Sequence, residues 1–265
     1  MAPILTNINL QVDENDVLIL KGRSGSGKTT LLKCLAALNV YQEGEIRLHG
    51  KQADLVMLNP PNLLPFSLPG KQVNTVRTCR EDSQALSPRV PTYRTKVLYV
   101  PQRPSLLPGT PKDFLETIIS YSSRTTKSGS HKGGNKTNAP PGASSSSSSN
   151  NNREQPPWAR ALQITKSWGM DPALWQREWA TLSGGEGQRM SLAVAVSLGQ
   201  AEVILLDEPT SALDSETIKL VEKTLLSLLP NGDNPDGTLK AYVWITHEAA
   251  QADRVGTRTF DVSKE

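Results

Sequence analysis

The sequence predicts an α/β fold built on a mostly parallel sheet, and three observations carry that prediction. A glycine-rich segment, Gly22-Arg23-Ser24-Gly25-Ser26-Gly27-Lys28-Thr29, lies between an apolar strand pattern and a helical pattern. A second apolar run, Val203-Ile204-Leu205-Leu206, ends in two carboxylates, Asp207 and Glu208. From Trp158 onward, strand-like runs alternate with loops and helical patterns, as they do where helices cross over a parallel sheet.

The elements follow in order. Ile4–Val12 alternates apolar and polar residues and reads as a strand, as does Val17–Leu20. Thr29–Leu38 places Leu31, Leu32, Leu35 and Leu38 at helical spacing, and Glu45–Leu48 reads as a further strand. Residues 51–96 carry Pro60, Pro61, Pro65, Pro69, Pro88 and Pro91 and few periodic apolar residues, so they read as loop-rich, with room for a short helix or strand. Order resumes at the strand Val97–Val100. Residues 121–157 hold a Ser144–Ser149 run followed by Asn150–Asn152; such a segment cannot bury enough apolar surface to offset its ordering entropy and is expected to be a disordered insertion. Helices are expected at Ala159–Trp168, Gly187–Leu198 and Ser215–Leu229, and strands at Val203–Leu206 and Ala241–Ile245.

Composition narrows the class. The chain has 265 residues, 29 Lys+Arg against 26 Asp+Glu, and a net charge of +3, a length that suits one large domain or two small ones with a sizeable core. Its apolar stretches fall short of the roughly 18 residues that cross a bilayer, so it is not expected to be a channel or carrier itself. Met1 runs almost directly into the first alternating pattern, with no charged-then-apolar leader, which points to a cytosolic protein. Two cysteines, Cys34 and Cys79, make neither a disulfide framework nor a four-ligand zinc site; Cys34, in an apolar helical stretch, reads as a buried small hydrophobe. The basic pI near 8.8 resides in the insertions, since residues 121–157 and 51–96 each carry +4. The remaining chain is then 3 − 8 = −5, so the charge is not a nucleic-acid footprint on a folded face.

The glycine-rich segment fits G-x-x-x-x-G-K-[ST], and the chemistry explains the residue types. Glycines let successive N–H groups curl toward phosphates, and the following helix adds its dipole. Gly22, Arg23, Ser24, Gly25, Ser26, Gly27 and Thr30 would cradle the nucleotide by backbone. Lys28 would bridge the β- and γ-phosphates and Thr29 would ligate Mg²⁺. In open parallel sheets ligands sit at the carboxyl ends of strands, so Asp207 is expected beside this loop to hold Mg²⁺, and Glu208 to orient or deprotonate the attacking water.

Three further segments carry a family resemblance. Leu182-Ser183-Gly184-Gly185-Glu186-Gly187-Gln188-Arg189 resembles the signature motif of ABC ATPases, Asp207-Glu208-Pro209-Thr210-Ser211-Ala212-Leu213-Asp214 resembles their Walker B and D-loop, and Val243-Trp244-Ile245-Thr246-His247-Glu248 resembles their switch-histidine strand. Val100-Pro101-Gln102-Arg103-Pro104 looks like the Q-loop, and all stand in family order. The resemblance implies a RecA-like P-loop NTPase with an antiparallel β-subdomain and a helical subdomain, here one domain over residues 1–265 with insertions at 51–96 and 121–157. It implies ATP and Mg²⁺ as ligands, with Gln102 contacting Mg²⁺ and His247 sensing the γ-phosphate. Ser183, Gly184 and Gly185 would bind the nucleotide on a second ATPase subunit, and Asp214 would support that dimer contact. It also implies a separate membrane permease as partner and a peripheral place on the cytosolic face of a membrane.

The chain departs from the family pattern in places. No aromatic residue precedes Tyr41, so the usual adenine-stacking ring is not supplied upstream of the first strand, and Glu186 stands where Gln is usual. The segment Ser105–Leu115 looks like the exporter type, and the ending resembles small stand-alone ATPases paired with iron-export and aluminium-tolerance permeases. The competing reading is a soluble non-transport ABC ATPase such as an iron–sulfur assembly subunit. A capping box explains Ser183 and Glu186 without any ligand, and His49 and His131 are assigned no role.

Overall fold

Alternating buried strands and amphipathic helices form the elements in this order: β1 (Val17–Lys21), α1 (Lys28–Leu35), β2 (Arg47–Leu48), β3 (Lys51–Gln52), α2 (Arg89–Lys96), β4 (Val97–Val100), α3 (Pro111–Ser120), α4 (Pro157–Ser167), α5 (Gly184–Ser197), β5 (Val203–Asp207), α6 (Ser215–Ser227), β6 (Ala241–Ile245), α7 (Ala249–Val255) and β7 (Arg258–Asp261). The computed structural model describes residues 5–6, 8–39, 45–48, 51–52, 89–103, 108–121, 156–230 and 238–263. The readings made for residues 53–88 and 122–155, including Cys79 and His131, lie outside the described residues, as does His49. The chain divides into two compact units, one of Met1–Gln102, Gln200–Ser211 and Leu225–Glu265, the other of Arg103–Gly199 and Ala212–Thr224.

The first unit holds a five-stranded sheet in the order β4-β5-β6-β1-β7, with every pairing parallel. Parallel strands covered on both faces read as continuous apolar runs, and β6, Ala241-Tyr242-Val243-Trp244-Ile245, is buried at every position. On one face Leu18 and Leu20 of β1, Leu205 of β5, and Val243 and Ile245 of β6 pack with Leu31 and Leu32 of α1. Ile19, Leu20 and Leu32 are fully buried, each worth roughly 2 kcal/mol of apolar transfer. That packing fixes α1, and hence the loop before it, against the carboxyl ends of the strands. The antiparallel pair β2–β3 is the described part of the expected β-subdomain.

The strand expected over Ile4–Val12 does not form within its described residues, 5–6 and 8–12. Leu5, Ile8, Leu10 and Val12 instead lie half-buried against the core of the first unit. Alternation reports which side of a segment is buried, and here a chain without ladder partners buries that side. Cys34 is likewise half-buried rather than buried, and desolvation raises its thiol pKa. Strand β7 and helices α3 and α7 are additional to the expected elements; β7 pairs with β1 along Leu18–Lys21.

The elements of the second unit are all helices among its described residues, and it is built around tryptophan. Trp168 and Trp175 are fully buried, and their indole N–H groups donate to Thr224 at 3.0 Å and Thr165 at 3.1 Å. Trp158 meets Trp175 edge-on, with ring centres 5.1 Å apart. Local chemistry starts its helices. Thr110 and Asp113 form a capping box on α3, Ser183 and Glu186 one on α5, and Asp214 accepts from the N–H groups of Glu216 and Thr217 at the start of α6.

These caps give a pH dependence of known sign. The Thr110 hydroxyl holds Asp113 below the usual carboxylate range, the Ser183 N–H does so for Glu186, and the Thr217 N–H for Asp214. Lowered folded-state values contribute stability above the unfolded value, lost as pH falls through the folded one. The melting temperature is therefore expected to fall as pH drops below about 4.5. Thermal melts followed by circular dichroism check this: Glu186→Gln, whose side chain does not titrate, should show a shallower fall than the wild type.

Candidate functional site

The phosphate-loop residues gather where β1 meets α1. Gly22, Gly25 and Gly27 adopt φ of +149°, +81° and +93°, a region that L side chains rarely enter. A Cβ at Gly22 would also lie 2.7 Å from Ser26 Oγ. Gly27 occupies the N-cap position of α1 without a side chain to cap it, so the first-turn N–H groups meet no capping side chain. Lys28 is buried, and its ammonium donates to the carbonyls of Gly22 and Arg23, both at 2.9 Å, bracing the curl of the loop. Ser26 Oγ is buried with no hydrogen-bond partner among the described residues. An uncapped helix start, a curled run of N–H groups and an unsatisfied hydroxyl together suit a polyphosphate.

The carboxylates stand where β5 ends. Asp207 is buried; its Oδ1 accepts from the Thr29 hydroxyl at 3.2 Å and its Oδ2 from the Tyr99 hydroxyl at 2.9 Å. Hydroxyl and carboxylate oxygens are the hard donors that Mg²⁺ takes, so Thr29 and Asp207 fit that ion. Burial and the neighbouring Asp207 raise the Tyr99 phenol well above its ordinary pKa, so it stays a neutral donor.

Glu208 turns out of the strand in a left-handed conformation, φ +47°, with its N–H on the Ile245 carbonyl at 3.1 Å. That conformation costs about 1 kcal/mol in a non-glycine residue, less than one buried leucine contributes. Gln102 Nε2 donates to Glu208 Oε2 at 2.6 Å, and His247 Nε2 lies 2.9 Å from Oε1. The first unit thus brings together Lys28, Thr29, Asp207, Glu208, Gln102 and His247, drawn from the ends of β1, β4, β5 and β6.

In the second unit, α5 begins at Gly184 rather than at Gly187, so Gly184 and Gly185 form its first turn instead of preceding it. Glycine's poor helix propensity hides that start, and the capping box between Ser183 and Glu186 sets it. A Cβ at Gly185 would come within 2.9 Å of the Ala212 carbonyl, so only glycine fits without displacing the segment that leads to Asp214. Gln188 accepts from the Ala212 N–H at 3.1 Å, tying the same two segments. Tyr99 is the functional candidate missing from the sequence reading. Its signal, a ring with a polar tip three residues before Gln102, gains meaning only from strand register.

A β1–loop–α1 phosphate cradle, with β6 inserted between β1 and the acidic strand β5, defines a phosphate-loop nucleotide hydrolase. Residues 5–211 match the ABC transporter family, and the chain belongs to it. It is an ATP hydrolase of the ABC type. It is 28% identical over 260 residues to the phosphate import ATP-binding protein PstB 1 of Vibrio cholerae, covering 96% of this chain and 72% of that protein. It is 28% identical over 254 residues to the histidine/lysine/arginine/ornithine transport ATP-binding protein HisP of Escherichia coli, covering 96% and 78%. The dimeric ATP-binding cassette MJ0796, in a post-hydrolysis state bound to ADP and Pi, shares the fold with a TM-score of 0.63 at 24% identity, covering 97% of this chain and 85% of that one.

Proposed function

We propose that the chain is the ATP-driven subunit of a membrane transporter, pairing with a second ATPase subunit around two ATP molecules and driving a separate permease. The observation that carries the catalytic half is Glu208, turned out at the end of β5 with a donor on each carboxylate oxygen, beside the Asp207–Thr29 pair. Lys28 and the Gly22–Thr30 backbone hold the phosphates. Thr29, Gln102 and Asp207 would hold Mg²⁺, which when bound would offset the phosphate charge. Glu208 takes a proton from water as the water oxygen attacks the γ-phosphorus and the bond to the β–γ bridging oxygen breaks. Each Glu208 oxygen carries two lone pairs, so the contacts to Gln102 and His247 do not by themselves bar the attacking water.

Ser183, Gly184 and Gly185 serve the nucleotide of the opposite subunit, since α5 starts there with its N–H groups and positive dipole end. Asp214, which caps α6, holds the segment that meets the partner. Among the described residues no helix is long and apolar enough to cross a membrane, so the transport path belongs to the permease and the chain sits peripherally on it. The two relatives above are named for phosphate import and for amino-acid transport, whereas Ser105–Leu115 resembles the exporter type; the permease sets substrate and direction. Metal-ion or small-solute export is the finer reading of those residues. The iron–sulfur assembly alternative is not favoured by these relatives.

Affinity purification of the tagged chain from its native membrane tests the transport reading. Recovery of a multi-spanning membrane protein is expected. Recovery of soluble assembly proteins alone would refute it.

A further inference from the structure

We infer that Tyr99 is a positioning residue for the metal-bearing carboxylate: its hydroxyl holds Asp207 Oδ2 and thereby presents Oδ1 to Thr29 and the magnesium site. The inference rests on the ATP–Mg²⁺ reading above and adds to it a residue outside its motifs. The geometry follows from register. Tyr99 on β4 pairs with Leu205 on β5, and Asp207 lies two residues beyond Leu205, so the three share one face of the sheet. That is the face against which α1 packs, carrying Thr29 at its start. The phenol therefore reaches along the sheet to the acidic strand end while its ring packs, half-buried, against the core of the unit.

A carboxylate turns easily about its last side-chain torsion, which has a broad, roughly two-fold profile. One donor on each oxygen fixes its plane, and Asp207 has one on each: Thr29 on Oδ1 and Tyr99 on Oδ2. The two differ in what a ligand does to them. Thr29 is itself a metal ligand: an oxygen lone pair meets Mg²⁺ while its O–H can still donate to Asp207. Tyr99 lies on the far oxygen and can keep its bond throughout. It is the donor that does not itself meet the ion, and Asp207, only 5% exposed, has little water to replace it. The same strand end delivers Gln102, so β4 supplies both a metal contact and the brace for its neighbour. A phenylalanine would keep the ring packing and remove only the brace. Hydrogen-bond partners of metal ligands typically matter by about 10- to 100-fold in metal affinity.

The test uses the full chain with Mn²⁺ as the probe, titrated by electron paramagnetic resonance in the presence of the non-hydrolysable β,γ-imido analogue of ATP. Tyr99→Phe is expected to weaken Mn²⁺ binding about tenfold. Its affinity for the analogue in excess EDTA should stay within about twofold of the wild type, because the Tyr99 hydroxyl donates to Asp207 and not to the phosphate loop. Unchanged Mn²⁺ affinity in Tyr99→Phe, with the wild type binding normally, would overturn the positioning role alone. Equal losses with and without metal would overturn it too, by showing that the hydroxyl only supports the fold. A wild-type chain that bound neither analogue nor Mn²⁺ would bring down the ATP–Mg²⁺ reading and this inference with it.

Discussion

Glu208→Gln is expected to reduce ATP turnover by at least about a hundredfold, the lower end of what a positioned general base contributes. The amide has the shape of the carboxylate but does not accept a proton from water. It keeps one oxygen to accept from Gln102 or His247, which now hold the two carboxylate oxygens at 2.6 and 2.9 Å, so the local arrangement is largely retained. ATP affinity should therefore stay near the wild-type value or rise. A closed dimer that binds ATP more tightly than the open one accumulates when hydrolysis no longer reopens it. Phosphate release, equilibrium nucleotide binding and gel filtration with ATP check the three parts of this expectation. Wild-type turnover in the variant would remove Glu208 from the role of base.

The parts of this site that were legible in the sequence are those that local chemistry dictates. Gly22, Gly25 and Gly27 are glycines because the loop needs positive φ, and that requirement can be read without any tertiary information. Asp207 is the last residue of β5, so the carboxylate that closes an apolar run marks the end of the buried strand. Gln102 and His247 were legible only through motif order. That both rest on Glu208 depends on its left-handed turn, a tertiary choice that no local rule demands of a glutamate. The error at Ile4–Val12 has the same origin, since one-sided burial and strand pairing give the same alternation. Strand β7, Arg258–Asp261, is short and mostly polar, and its pairing with β1 supplies what its composition does not. Tyr99 stayed hidden because its meaning lies in the register of β4 against β5.

Lys28→Met is expected to remove turnover as completely as Glu208→Gln, but for the opposite reason. The lysine ammonium is buried and donates to two backbone carbonyls of its own loop. Methionine fills much of the same volume and carries no donor. The carbonyls of Gly22 and Arg23 lose that partner, a cost of about 1–3 kcal/mol and hence a small fall in melting temperature. The larger effect is on the ligand. Hydrogen bonds to charged groups are worth about 1.5–3 kcal/mol each, so losing the motif's buried cation should weaken ATP binding by at least about tenfold. The two variants then share a silent assay and separate in a binding experiment, with Glu208→Gln retaining ATP and Lys28→Met releasing it. A Lys28→Met chain that bound ATP like the wild type would show that the ammonium braces the loop and does not hold phosphate. The anion site would then be the uncapped N–H groups of α1 alone.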